Sequence, residues 1–236
     1  MQGLWGSWVV GVAALVGIGQ TAPADPAALQ ATLAQPAPDA ALLRALGIVG
    51  ADGTPCDVDA VALVRSADDM AAVVQVQTGA CRTDFLLPFW RVDGKWRPDA
   101  ALPIENWYGE PVRVELRPLV PGYPPAILVH DVMVDRGSGV SQHNLRGYLR
   151  IDGAARLVLD RTTHAHLQVP STRPGSSFHE EVRSSFRLPT PETLVSDGAV
   201  IGEVRRTTVQ GRTIVQCRTL AWVEDDKQFR ELLCAP

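Results

Sequence analysis

Four cysteines fall in two pairs, and the centre of each pair lies on an Asp-Asp dipeptide: Cys56 and Cys81 flank Asp68-Asp69, and Cys217 and Cys234 flank Asp225-Asp226. Partners in an antiparallel hairpin are equidistant from its turn. A two-residue Asp-Asp turn therefore sets each cysteine pair face to face at a non-hydrogen-bonded position, where Cα atoms approach to about 4.5 Å, within disulfide reach. Four cysteines permit three connectivities. The symmetry favours Cys56 with Cys81 and Cys217 with Cys234, two disulfide-clipped hairpins in a mainly antiparallel β fold.

Disulfides persist in oxidising compartments, and the start of the chain agrees with that address. The first charged residue is Asp25, preceded by an apolar run from Trp8 to Ile18 and then by Ala22-Pro23-Ala24. This reads as a secretory signal over residues 1–24, cleaved after Ala24, although no Lys or Arg lies near Met1. The run is shorter than the ~20 apolar residues of a membrane-crossing helix, so no stable membrane span is expected after cleavage. A retained anchor is the alternative. The expected location is the bacterial periplasm or the cell exterior. A formal net charge of −4 argues against nucleic acid or an anionic membrane surface as partner.

Residues 25–53 are rich in Ala, Leu, Pro and Asp. Asp25-Pro26 and Asp39 are placed as helix starts and Gly47 as a stop, which predicts a linker with short helices resting on the body through Leu42, Leu43 and Leu46. From residue 54 to 236 the period becomes two, in a single antiparallel β domain. Strands are expected at Ala60 to Arg65 and Ala71 to Thr78, at Phe85 to Val92 and Lys95 to Arg97, and at Val112 to Leu116 and Ala126 to Val134. More are expected at Tyr148 to Ile151 and Arg156 to Asp160, at Val200 to Thr208 and Thr213 to Val223, and at Gln228 to Cys234. Asp93-Gly94 and Asp152-Gly153 are strong type I′ turn signatures, because both residues tolerate positive φ. The fold class is all-β with a short helical N-terminal segment: a sandwich, a curved sheet or a small propeller. No internal repeat favours the propeller.

The densest chemistry lies in Thr162 to Val169 and Phe178 to Phe186. Alternation places Thr162, His164, His166 and Gln168 on one face of the first strand, and His179, Glu181, Arg183 and Ser185 on the polar face of the second. Pairing about Arg173-Pro174 sets His166 opposite Glu181, His164 opposite Arg183, and His179 beside Gln168. Three imidazoles and a carboxylate are ligand types of a Zn²⁺ or Cu²⁺ site, so His164, His166, His179 and Glu181 form the candidate metal set. The competing reading is a solvated strand face with a His–Glu contact and Arg183 as a like charge.

Other patterns carry less. Arg136-Gly137-Ser138-Gly139 lacks the Gly-x-Ser-x-Gly elbow, so Ser138 with His130, Asp131 and His143 is only a formal Ser-His-Asp collection, and Asp135 to Asn144 reads as a connecting loop. Asp52, Asp57 and Asp59 lack the spacing of a Ca²⁺ loop and read as a turn. Trp90 and Trp96 straddle opposite faces of their hairpin. Trp107, Trp222, Tyr108 and Tyr123 complete a modest aromatic set, ordinary for a β core.

No catalytic motif or cofactor fingerprint emerges. The leading expectation is a non-enzymatic module that binds a protein, peptide or envelope component. Its rivals are a metal-binding protein or metal-dependent hydrolase using the histidine face, and a structural envelope protein that associates by edge strands.

Overall fold

The computed structural model describes residues 25–79, 81–105, 112–135, 140–170 and 177–232. The expected signal segment, Trp107, Tyr108, Ser138, the Arg173-Pro174 turn and Cys234 lie outside them. Two helices open the described chain. In α1 (Pro26–Leu33) the Asp25 carboxylate accepts from the amides of Ala27 and Ala28, and Pro26 occupies the first turn, where no amide is needed. In α2 (Ala40–Leu46) Asp39 caps the start and Gly47 closes the end at φ 76°, a left-handed position that glycine takes without a Cβ penalty.

These helices cover one face of a five-stranded antiparallel sheet made of β1 (Ala60–Arg65), β2 (Ala71–Gln77), β3 (Thr83–Val92), β4 (Lys95–Pro98) and β5 (Leu102–Glu105). Its order is β1-β2-β3-β4, with β5 also paired to β3. Leu29, Leu33 and Leu43 from the helices bury against Val74, Val76, Phe85 and Leu87. The other face of this sheet packs on a second sheet through Val73, Leu86, Trp90 and Ile104 against Ile127 and Val129. A strand covered on both sides loses its alternation, and β2 accordingly reads as an unbroken buried run.

The second sheet is an eight-stranded antiparallel meander: β6 (Arg113–Arg117), β7 (Ala126–Asp135), β8 (Val140–Ile151), β9 (Ala154–Pro170), β10 (Ser177–Arg187), β11 (Val200–Val209), β12 (Arg212–Val223) and β13 (Gln228–Leu232). A short α3 (Pro191–Ser196) lies between β10 and β11. The architecture is thus all-β in two sheets. Two register shifts between β8 and β9, at His143/Asn144 and Gly147/Tyr148, bend the long strands. Between and beyond the bends, Leu145, Leu149, Ile151, Val158 and Leu159 pack onto Ile201, Leu220 and Phe229, so the sheet folds over onto itself. Tyr123 closes this core with an edge contact to Trp222 at 5.4 Å between ring centres. Tyr123 and Trp222 both donate to Glu224, which also pairs with Lys227. Lys227, then Trp222 and Tyr123, hold the Glu224 carboxyl down at about 2.

Gly147 sits at the second bend, where a Cβ would come within 3.1 Å of Leu159 Cβ and 3.3 Å of Leu128 Cδ2. Both neighbours are buried core side chains. Gly147→Ala is therefore expected to destabilise by roughly 1–3 kcal/mol through overpacking, read as a lower urea midpoint with an unchanged slope.

The cysteine symmetry holds while the turns differ from expectation. Ala60 pairs with Gln77 and Arg65 with Ala72, so the centre is Asp68-Asp69 as expected, but the ladder closes at Ser66 with Ala71 and leaves a four-residue turn. The Ser66 hydroxyl donates to Asp68 and accepts from the amides of Met70 and Ala71, which fixes the longer turn. Cys56 and Cys81 form a disulfide with Cα atoms 5.8 Å apart. Cys56 lies beyond the start of β1, where its amide donates to Ile48, so this link ties the segment after α2 to the hairpin's open end. At the other end of the chain Thr219 pairs with Leu232 and Val223 with Gln228, which keeps the centre at Asp225-Asp226 around a four-residue turn. The second expected pair includes Cys234, outside the described residues. No helix among the described residues is long and apolar enough to cross a membrane.

Candidate functional site

Residues directly opposite each other on antiparallel strands share a face, so register alone maps the site. On β9 and β10, His166 faces Glu181, His164 faces Arg183 and Gln168 faces His179, the pairing expected from the sequence. The ladder extends this face to strands where no site residue was expected. His143 on β8 lies opposite His164, and Val132 on β7 lies opposite His143, which puts His130, two residues before Val132, on the same side. All five histidines of the chain therefore occupy one face of the large sheet, spread over β7, β8, β9 and β10.

Their contacts fall into three groups. His130 Nε2 lies 3.1 Å from Glu115 Oε1, at the β6 side. His143 and His164 stack with ring centres 5.3 Å apart and planes at 25°. His166 and His179 meet edge to face, with ring centres 4.6 Å apart and planes at 80°. Glu181 links the last two groups. Its Oε1 accepts from Arg183 Nε at 2.8 Å and lies 3.3 Å from His164 Nε2, while it stands opposite His166 across the ladder. Arg183 first, and His164 behind it, hold the Glu181 carboxyl below its ordinary value, so it stays a carboxylate. The rings of this face are half-buried, and Arg183 is largely exposed. Among the described residues, no three His, Cys, Asp or Glu side chains converge on one point as they stand.

Thr162 departs from its expected place. The register shift leaves Thr163 as the extra residue, so Asn144 pairs with Thr162 and the Thr162 side chain moves to the opposite face. There Gln142 Nε2 donates to both Asn144 Oδ1, at 2.7 Å, and Thr162 Oγ1, at 3.3 Å. The same hidden face holds Asp131, whose side chain is fully buried 2.9 Å from Arg146 Nη1. Arg146 is its ion-pair partner, and Asn144, opposite Asp131 across the ladder, lies beside the same carboxylate. Burial pushes the Asp131 carboxyl above its ordinary value, with Arg146 acting against the shift. Nearby Tyr148 is likewise raised by burial.

His130 and His143 were within reach of the sequence only as members of a formal triad. His143 is a strand residue, because β8 starts at Val140 and takes in the second half of the expected loop. The segment Asp52 to Asp59 is a turn, as expected: Asp52 Oδ1 accepts from the Thr54 amide and Gly53 has φ 78°. Trp90 packs between the sheets and Trp96 against the helix-covered face, on opposite sides of their hairpin. In comparisons with protein-family models, curated proteins and solved structures, nothing matches the chain.

Proposed function

We propose that this is an exported, non-enzymatic binding module that engages a protein, peptide or envelope component through the histidine-bearing face of its large sheet. The observation that carries this reading is the gathering of all five histidines, with Glu115, Glu181 and Arg183, on one side of adjacent strands. An imidazole offers both a hydrogen-bond donor and an acceptor on a flat ring, which suits recognition of an extended surface. The face is carried by hydrogen-bonded antiparallel strands of one sheet, so it is presented by regular strands rather than by loops. The Cys56–Cys81 link fits a protein that works in an oxidising compartment.

A photo-crosslinking residue placed at His143 or Thr208, both on this face, tests the reading in the native cells. Adducts are expected from these positions and not from Lys95, at the far β3–β4 turn. Equal adducts from all three positions, or adducts from Lys95 alone, would overturn it.

A further inference from the structure

We infer that His166, His179 and Glu181 form a capture site for a borderline divalent transition ion such as Zn²⁺ or Cu²⁺. The inference deepens the reading of this face as the working surface, and it selects one group among the five histidines by geometry.

Two imidazoles bound to one ion at a metal–nitrogen distance of about 2.0–2.1 Å, at an angle of about 90–110°, place their ring centres about 4.5–5.2 Å apart. His166 and His179 stand at 4.6 Å with their planes at 80°, so the spacing is already in range and a turn of the rings about their side-chain bonds brings both lone pairs onto one ion. His143 and His164 are separated similarly, but their planes are nearly parallel. Ring-nitrogen lone pairs lie in the ring plane, so those of stacked rings run side by side and do not meet. The third ligand comes from the same two rungs of the ladder: Glu181 is directly opposite His166 and two residues along β10 from His179.

As the structure stands, Glu181 is turned towards Arg183 and His164. Binding requires it to exchange those partners for the ion, and the largely exposed Arg183 head regains water when released. The carboxylate needs no deprotonation, whereas each imidazole must be neutral to ligate, so protons compete and binding weakens in acid. Imidazole with one carboxylate selects Zn²⁺, Cu²⁺ or Ni²⁺ over the all-oxygen ions Ca²⁺ and Mg²⁺.

Calorimetric titration of the secreted protein with ZnCl₂, and separately with CaCl₂, tests the site. The expected result is saturable uptake of a single Zn²⁺ per chain and none of Ca²⁺. His166→Ala and His179→Ala should each weaken Zn²⁺ binding about tenfold or more, while His143→Ala changes it less than about twofold. Arg183→Gln should tighten binding several-fold, because Glu181 is then free to turn. A merely histidine-rich surface would lose affinity equally with each of the three histidine variants and would not respond to Arg183→Gln. That outcome, or no uptake at all, overturns the site. Failure of Zn²⁺ binding with adducts retained at His143 and Thr208 would leave the binding face standing without its ion, whereas Zn²⁺ uptake without adducts would leave the ion site alone.

Discussion

The Cys56→Ala/Cys81→Ala double variant is expected to lose about 3.5 kcal/mol of folding stability, the loop-closure value for a separation of this size. The two residues lie 25 apart, and the link closes the chain across the whole first hairpin and the turn before it. Its effect is mainly on the unfolded chain, which the bond forbids from separating the segment after α2 from the end of β2. Cys56 is also buried with Leu43, Ile48 and Phe85, so the variant loses packing under the helices as well. For a chain of this length the loss corresponds to a fall in melting temperature of roughly 7–14 °C. Urea unfolding of the double variant against the oxidised parent measures it. A loss under about 1 kcal/mol would show that the unfolded chain is already restrained without the bond.

What could be read along the chain was local chemistry with one geometric solution. Asp25, Asp39 and Gly47 bound their helices because capping depends on a single side chain or a single φ. Asp93-Gly94 and Asp152-Gly153 turn with both residues at positive φ for the same reason. The β9–β10 register was legible because alternation on both strands agreed with a single centre. β5 was missed because it is a short strand interrupted by Pro103, which carries no period. α3 was missed because its capping box closes Thr190 with Thr193, where the familiar signature has Glu or Gln.

The first residues of β8 show the deeper difficulty. Ser141 and His143 point to the histidine face, and Gln142 and Asn144 point to the buried polar network. With polar side chains on both faces, period two leaves no trace in hydropathy, and the stretch looks like a loop. The histidine face was therefore seen only where its other side was apolar, at Ala165 and Val182. The bulge at Thr163 was equally invisible, since one unpaired residue changes the face of its neighbours without changing composition.

That hidden network carries the other large expected effect. Arg146→Met should cost roughly 3–5 kcal/mol at neutral pH, because it removes the cation beside a carboxylate that has no exposure to water. The loss must depend on pH in a definite direction. Burial raises the folded-state value of Asp131 above its ordinary 3.8, so the folded protein binds this proton more tightly than the unfolded chain does. A group of that kind contributes stability that is fully present below the unfolded value and is lost as pH rises through the folded one. Arg146 opposes the shift, so its removal raises the folded value further. The variant's deficit against the parent should then be small near pH 4, grow as the pH rises towards neutrality and level off once Asp131 is ionised in the folded state. Asp131→Asn added to Arg146→Met should recover most of the stability, since the neutral amide has no charge to leave unpaired and Asn144 and Gln142 stand nearby as polar neighbours. Denaturant unfolding of the parent, both single variants and the double variant at pH 4, 5.5 and 7 closes the cycle. A deficit for Arg146→Met that stays constant across those pH values, with no recovery in the double variant, would mean that Arg146 acts through its packing alone and that Asp131 is solvated by some other route.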